Sequence, residues 1–367
     1  MHGGNIETAA REYGLKVDSI IDFSANINPL GPSPRAVEAI KQNLDKIVHY
    51  PDIEYRELQQ ELARHLSVKP ELIIPGNGAS ELIYLIANRK RPGCALMPAP
   101  TFSEYEMAVK GAGGKVKFIA LSSNNNFNIE LNEFENNLSD IDMVFLCNPN
   151  NPTGTILERD RLLEFVDKAG DKGIFVVIDE AFMDFVEDED KRTLRNDVEQ
   201  RNNLFVLGSL TKFFALPGLR IGYGIGPSCL INQLRQYKEP WSINIFAQAA
   251  ALASLRDTEY IRKTRNYIYN EKMFLFNALN ELPGFKAYPS ASNYFFIDIR
   301  GSGFTAAQLQ SRLGPKGILI RNCSSYPFLD DYYIRVAVRT REENLFLINV
   351  LKNILEGRSN DVKNYSR

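Results

Sequence analysis

MVFLCNPNNPTGTILERDRLLEFVDKAGDKGIFVVIDE, residues 143–180, carries two short apolar runs, MVFLCN (143–148) and IFVVIDE (174–180), on either side of the helical pattern RDRLLEFVDKAGDKG. Runs this rich in Val, Ile and Phe, with no polar alternation, are expected where helices cover both faces of a parallel sheet. Three further runs repeat the theme: CALMPAP (94–100), NLFVLGSL (203–210) and IGYGIG (221–226). A helical pattern, ELIYLIANR, follows the Gly76-Asn77-Gly78 turn. This alternation predicts a three-layer α/β domain with a mostly parallel sheet.

The pattern changes beyond about residue 240. A long helical stretch over 231–284 is interrupted at Pro240, strands follow at NYFFIDI (293–299), GILIRN (317–322) and YYIRVAVR (332–339), and the helix EENLFLINVLKNILEG closes the chain. The expected organisation is an N-terminal arm over 1–40 that joins the smaller domain, a large α/β domain over 41–245, and a small α+β domain over 246–367. At 367 residues two lobes are the ordinary outcome.

A formal net charge of −2 draws neither nucleic acid nor acidic membrane to the whole surface, so any anionic ligand needs a local site. Four scattered cysteines and three dispersed histidines give no metal-ligand spacing, and no metal is expected. The N-terminus lacks the apolar core of a signal peptide and no apolar run reaches spanning length, so the expected compartment is the cytoplasm.

Chemistry concentrates in three segments. In SLTKFFALPGLRIGYG (209–224), Lys212 directly follows an apolar strand, with Ser209 before it and Arg220 after the Pro217-Gly218 turn. Most lysines are solvated charges. One at the carboxyl end of a sheet strand, where α/β folds bind ligands, can be desolvated into a nucleophilic amine. FLCNPNNPTG (145–154) could be a plain turn, and Asp179 in VVIDEAFMDF could be a helix cap or a partner for a cation. GYGIG (222–226) lacks dinucleotide-binding spacing and reads as close backbone packing.

The ordered NPNNPTG, DEAF and SLTK…GLRIGY blocks resemble the fold-type I pyridoxal-phosphate superfamily, in particular the branch with histidinol-phosphate aminotransferase and threonine-phosphate decarboxylase. The resemblance runs from HGGN near the start to the closing helix. It implies that Lys212 holds pyridoxal 5′-phosphate as a Schiff base, that Asp179 pairs with the pyridine nitrogen, and that Asn151 donates to the phenolic oxygen. Phe102 in PTFSEY would stack on the ring, and Gly78, Ala79, Ser80, Ser209 and Arg220 would form the phosphate cup. Tyr55 in HYPDIEY would reach the phosphate of a neighbouring subunit, implying a homodimer with shared active sites.

The superfamily does not fix which bond breaks. HGGNIETAA with DFSANINPLGPS, Phe182 where aminotransferases of this branch usually carry tyrosine, and LIRNCSSYPFLDDYYIRVAVR all resemble the decarboxylases. The resemblance therefore implies decarboxylation of L-threonine O-3-phosphate to (R)-1-amino-2-propanol phosphate, the cobalamin linker precursor. L-serine phosphate decarboxylation and histidinol-phosphate aminotransfer stand as alternatives. A substrate with two anionic groups calls for arginine forks. Arg335 is expected to hold the α-carboxylate, and Arg321, His2 and Asn26 the substrate phosphate, with Arg339 as a further candidate. A non-catalytic alternative, the effector module of a transcription regulator, is disfavoured by the complete Asn151, Asp179 and Lys212 set and by a start that leaves no space for a DNA-binding domain.

Overall fold

The computed structural model describes residues 3–357. Thirteen strands follow one another among the described residues: β1 (Ile21–Asp22), β2 (Ile73–Gly76), β3 (Cys94–Ala99), β4 (Lys115–Ala120), β5 (Met143–Cys147), β6 (Phe175–Asp179), β7 (Leu204–Ser209), β8 (Gly222–Ile225), β9 (Lys286–Ala287), β10 (Tyr294–Asp298), β11 (Ile318–Leu319), β12 (Arg321–Asn322) and β13 (Tyr333–Ala337). The large sheet runs β2-β8-β7-β6-β5-β3-β4, and the small one β12-β13-β10-β9. Pairs within β7-β6-β5-β3-β4 are parallel, while β8 runs antiparallel to both β7 and β2. The fold is thus α/β with a mostly parallel central sheet. β5, β6 and β7 are buried along their whole length, which is why they read as unbroken apolar runs.

Two strands of the large sheet escaped the sequence reading, and both are edges. β4 reads KVKFIA with both lysines exposed and Val116 and Phe118 half-buried, the alternation and charge that protect a free edge. β2 is four residues with Pro75, which an edge strand tolerates. The N-terminal arm also holds a helix, Ile6–Tyr13, capped by Asn5 and closed by left-handed Gly14.

The long helical stretch breaks twice, giving helices Ser228–Tyr237, Ile245–Leu255 and Thr258–Asn280. The second break falls at Asp257, whose side chain caps the last helix and also accepts a bond from Ser33. GILIRN divides at Ile320: β11 pairs parallel with β1, and β12 pairs antiparallel with β13. The Phe23 amide donates to Leu319 O and its carbonyl accepts from Ala337 N. The N-terminal segment is thereby stitched to the C-terminal strands beside the carboxyl ends of β5–β7.

Candidate active site

Parallel strands β5, β6 and β7 end in register, Cys147 beside Asp179 and Asp179 beside Leu207. Just beyond those ends lies a cavity of 330 Å³ whose lining includes Lys212, Asp179, Asn151, Arg220, Arg321 and Arg335. The same cavity is lined by Asn26, Ala79, Ser80, Phe102, Phe182 and Ser209. Residues spread over some three hundred positions thus converge on one hollow at the sheet's carboxyl edge, where α/β folds bind ligands.

Lys212 is enclosed, and burial first, then the Arg335 and Arg220 guanidinium groups, bring its amine down to about 8. Near neutrality a usable fraction is therefore uncharged and nucleophilic. Burial pushes the Asp179 carboxyl upward, opposed by the Tyr105 hydroxyl, the Ala181 amide and Lys212. The two bonds are 2.6 Å (Tyr105 Oη to Oδ2) and 2.9 Å (Ala181 N to Oδ1).

Ser209 caps the Leu210–Phe213 turn of helix, its Oγ 2.7 Å from Thr211 Oγ1. Across from it the Gly78–Lys90 helix begins, with Gly78 at φ +76°. A Cβ on Gly78 would lie 2.7 Å from Arg220 Nη2, and one on Gly222 would lie 2.6 Å from the Ala79 amide nitrogen. Glycine is required at both, so that Arg220 and the helix N-terminus close on the same space. Gly222 thereby also gives the packing reading of GYGIG its physical content.

Arg335 is buried on β13; it donates through Nη1 to Asn151 Oδ1 and through Nη2 to Ser24 O at 2.7 Å. That contact turns the Asn151 amide nitrogen away from Arg335 and leaves it a donor. Arg321 stands opposite Arg335 in the β12–β13 register, stacked 5.3 Å from the Tyr326 ring. None of Arg220, Arg321 and Arg335 has a carboxylate ion-pair partner among the described residues. Three guanidinium groups that line one cavity and are not tied up in ion pairs make it a place for an anion, with Asp179 and Glu104 the carboxylates in the same lining. Asn26 is also buried and its amide oxygen has no partner among the described residues.

Two expected site residues are not brought here. Tyr55 is 6% exposed, folded into its own chain with its hydroxyl 3.2 Å from Lys238 Nζ. In the same HYPDIEY stretch Tyr50 is exposed, at 78%, and stacked on Trp241. Arg339 falls after β13 has ended and pairs with Glu343 at 3.1 Å, at the start of the Arg341–Leu355 helix. His2 lies outside the described residues. Tyr105, Tyr326 and Ser24 were missed, although Tyr105 stands three residues after Phe102 at helical spacing.

The donor set fits pyridoxal phosphate. A helix N-terminus, two hydroxyls and Arg220 form a cradle that a Cβ at Gly78 would fill, and a desolvated amine and a buried carboxylate stand beyond it. The fold and these residues define a pyridoxal-phosphate enzyme of aminotransferase type. The chain belongs to the aminotransferase class I and II family, which matches residues 18–351. It is 37% identical to the threonine-phosphate decarboxylase of Salmonella typhimurium, over 97% of each chain. It is 33% identical to the histidinol-phosphate aminotransferase of Methanosphaera stadtmanae, over 96% of this chain and 95% of the relative. Among solved structures, histidinol-phosphate aminotransferase from Clostridium acetobutylicum superposes with a TM-score of 0.85 at 30% identity, covering 91% of this chain and 99% of that one. The cofactor is pyridoxal 5′-phosphate. No helix among the described residues is long and apolar enough to cross a membrane.

Proposed function

We propose that this enzyme decarboxylates L-threonine O-3-phosphate to (R)-1-amino-2-propanol phosphate, as a cytoplasmic homodimer supplying the linker of cobalamin. The observation that carries the reading is the Arg321–Arg335 pair: two guanidinium groups in register, lining the cavity with no carboxylate partner among the described residues. A substrate with a carboxylate and a phosphate suits them, and the Salmonella typhimurium relative is named for that substrate.

Pyridoxal phosphate, when bound, supplies the electron sink for the bond that breaks at Cα. Ala79, Ser80, Ser209 and Arg220 would hold its phosphate, Phe102 its ring face, Asn151 its phenolic oxygen and Asp179 its ring nitrogen. Arg335 would orient the substrate carboxylate, and Arg321 with Asn26 would bind the substrate phosphate. The carboxylate leaves as CO₂, its bonding pair stays at Cα, and Lys212 delivers the proton that takes its place. Phe182 packs edge-on against Tyr294 at 5.1 Å and offers no hydroxyl to the cavity. Aminotransfer from histidinol phosphate is the second reading, supported by the 33% relative and the superposed structure.

For the homodimer, Leu44, Ile47, Val48 and Tyr50 form an exposed apolar stretch that a second copy would cover. Threonine phosphate labelled in its carboxyl carbon tests the reaction. The label should leave as CO₂ in step with phosphoamine formation; label retained in a keto acid would reject decarboxylation.

A further inference from the structure

Asp179 is held by more than its own motif supplies. Tyr105 belongs to the Glu104–Gly111 helix, is wholly buried, and donates its hydroxyl to Asp179 Oδ2 at 2.6 Å. Its ring is fixed on two sides: stacked on Phe145 at 5.1 Å and 13°, and edge-on to Phe102 at 5.5 Å and 83°. Burial, then the facing carboxylate, pushes this phenol well above its ordinary range, so it stays a donor. The other titratable groups acting on the pair are Cys147 of β5, kept neutral because burial pushes its thiol up, and Lys212, whose charge favours the carboxylate.

We infer that Tyr105 is a positioning residue acting through Asp179: its hydrogen bond keeps that buried carboxylate ionised and so keeps the cofactor's pyridine nitrogen protonated. Without the phenol, burial of Asp179 is opposed among the described residues by the Ala181 amide and Lys212 alone, and a neutral Asp179 no longer draws the proton to the ring. This rests on the reading of Asp179 as the ring-nitrogen partner and is independent of which Cα bond breaks.

The test uses holoenzyme loaded with cofactor ¹⁵N-labelled at the ring nitrogen. Its ¹⁵N signal is followed against pH in the unsubstituted enzyme, Tyr105→Phe, Asp179→Asn and an enzyme carrying a fluorinated tyrosine at 105. The expected result is a protonated ring in the unsubstituted enzyme and an unprotonated one in Asp179→Asn. In Tyr105→Phe the ring-nitrogen midpoint should fall by about one pH unit, the scale set by a hydrogen bond to a charged group. Its kcat should fall about tenfold with KM changed by less than about twofold. The fluorinated tyrosine, which keeps both ring and donor, should retain the protonated signal. If Asp179→Asn moves the signal and Tyr105→Phe does not, the inference about Tyr105 is overturned while Asp179 keeps its role. A signal unmoved in Asp179→Asn removes both. Fluorotyrosine enzyme that matches Tyr105→Phe also overturns the inference, because packing rather than donation would then be at work.

Discussion

Lys212 is made reactive by where it sits. A lysine free in water titrates near 10.4, whereas burial and two guanidinium groups bring this one to about 8. Its folded value lies below its unfolded one, so the uncharged form gains between about 8 and 10.4, and burying the charged form costs the apoprotein stability at lower pH. Labelling of Lys212 in the apoprotein by an amine-reactive probe should therefore rise with a midpoint near 8; a midpoint near 10 would mean the amine is solvated. Lys212→Ala should lower product formation by about 10³-fold or more, and near-normal turnover would contradict its assignment. Most of these residues could be picked from the sequence because each follows an apolar strand, and in a parallel sheet those strands end on one edge. Tyr105 could not, because its partner is supplied by a strand far along the chain. Arg339 shares strand parity with Arg335, but the strand stops at Ala337 and a helix-capping glutamate claims it.

At the level of elements, the site is an arrangement of ends: β6 presents Asp179, β7 presents Ser209, and the Gly78–Lys90 helix presents its amides. Ser209 serves two elements, accepting from the Thr211 amide at 3.3 Å and contacting the Thr211 hydroxyl. Ser209→Ala should lower stability by about 1 kcal/mol, the usual worth of an N-cap, read by thermal denaturation, and should weaken cofactor retention. Unchanged cofactor affinity would remove Ser209 from the proposed cradle. Interior strands were legible because burial on both faces leaves them uniformly apolar. Edges β2 and β4 were not, since a free edge needs proline, charge or brevity, which blur the strand pattern. The split of GILIRN was hidden for a different reason: a strand that changes sheets keeps its composition.

Across the whole molecule, the N-terminal segment, the large sheet and the small sheet each contribute to the cavity, so the chemistry depends on their packing together. The exposed stretch around Val48 and Tyr50 belongs to this scale. Light scattering should give twice the chain mass, and Val48→Asp should shift the protein toward monomer with loss of activity, since a charge buried at an interface lacks a partner. A fully active monomer would contradict shared active sites. Discrimination against serine phosphate, which lacks one methyl, is expected to be only about 10–200-fold.

The account stands most directly on one assay: purified holoenzyme given threonine, serine and histidinol phosphates side by side, with 2-oxoglutarate present, while CO₂ and glutamate are both measured. The predicted result is CO₂ and (R)-1-amino-2-propanol phosphate in equal amounts from threonine phosphate, with little glutamate from any substrate. Glutamate formed efficiently from histidinol phosphate, without CO₂ from threonine phosphate, would contradict it.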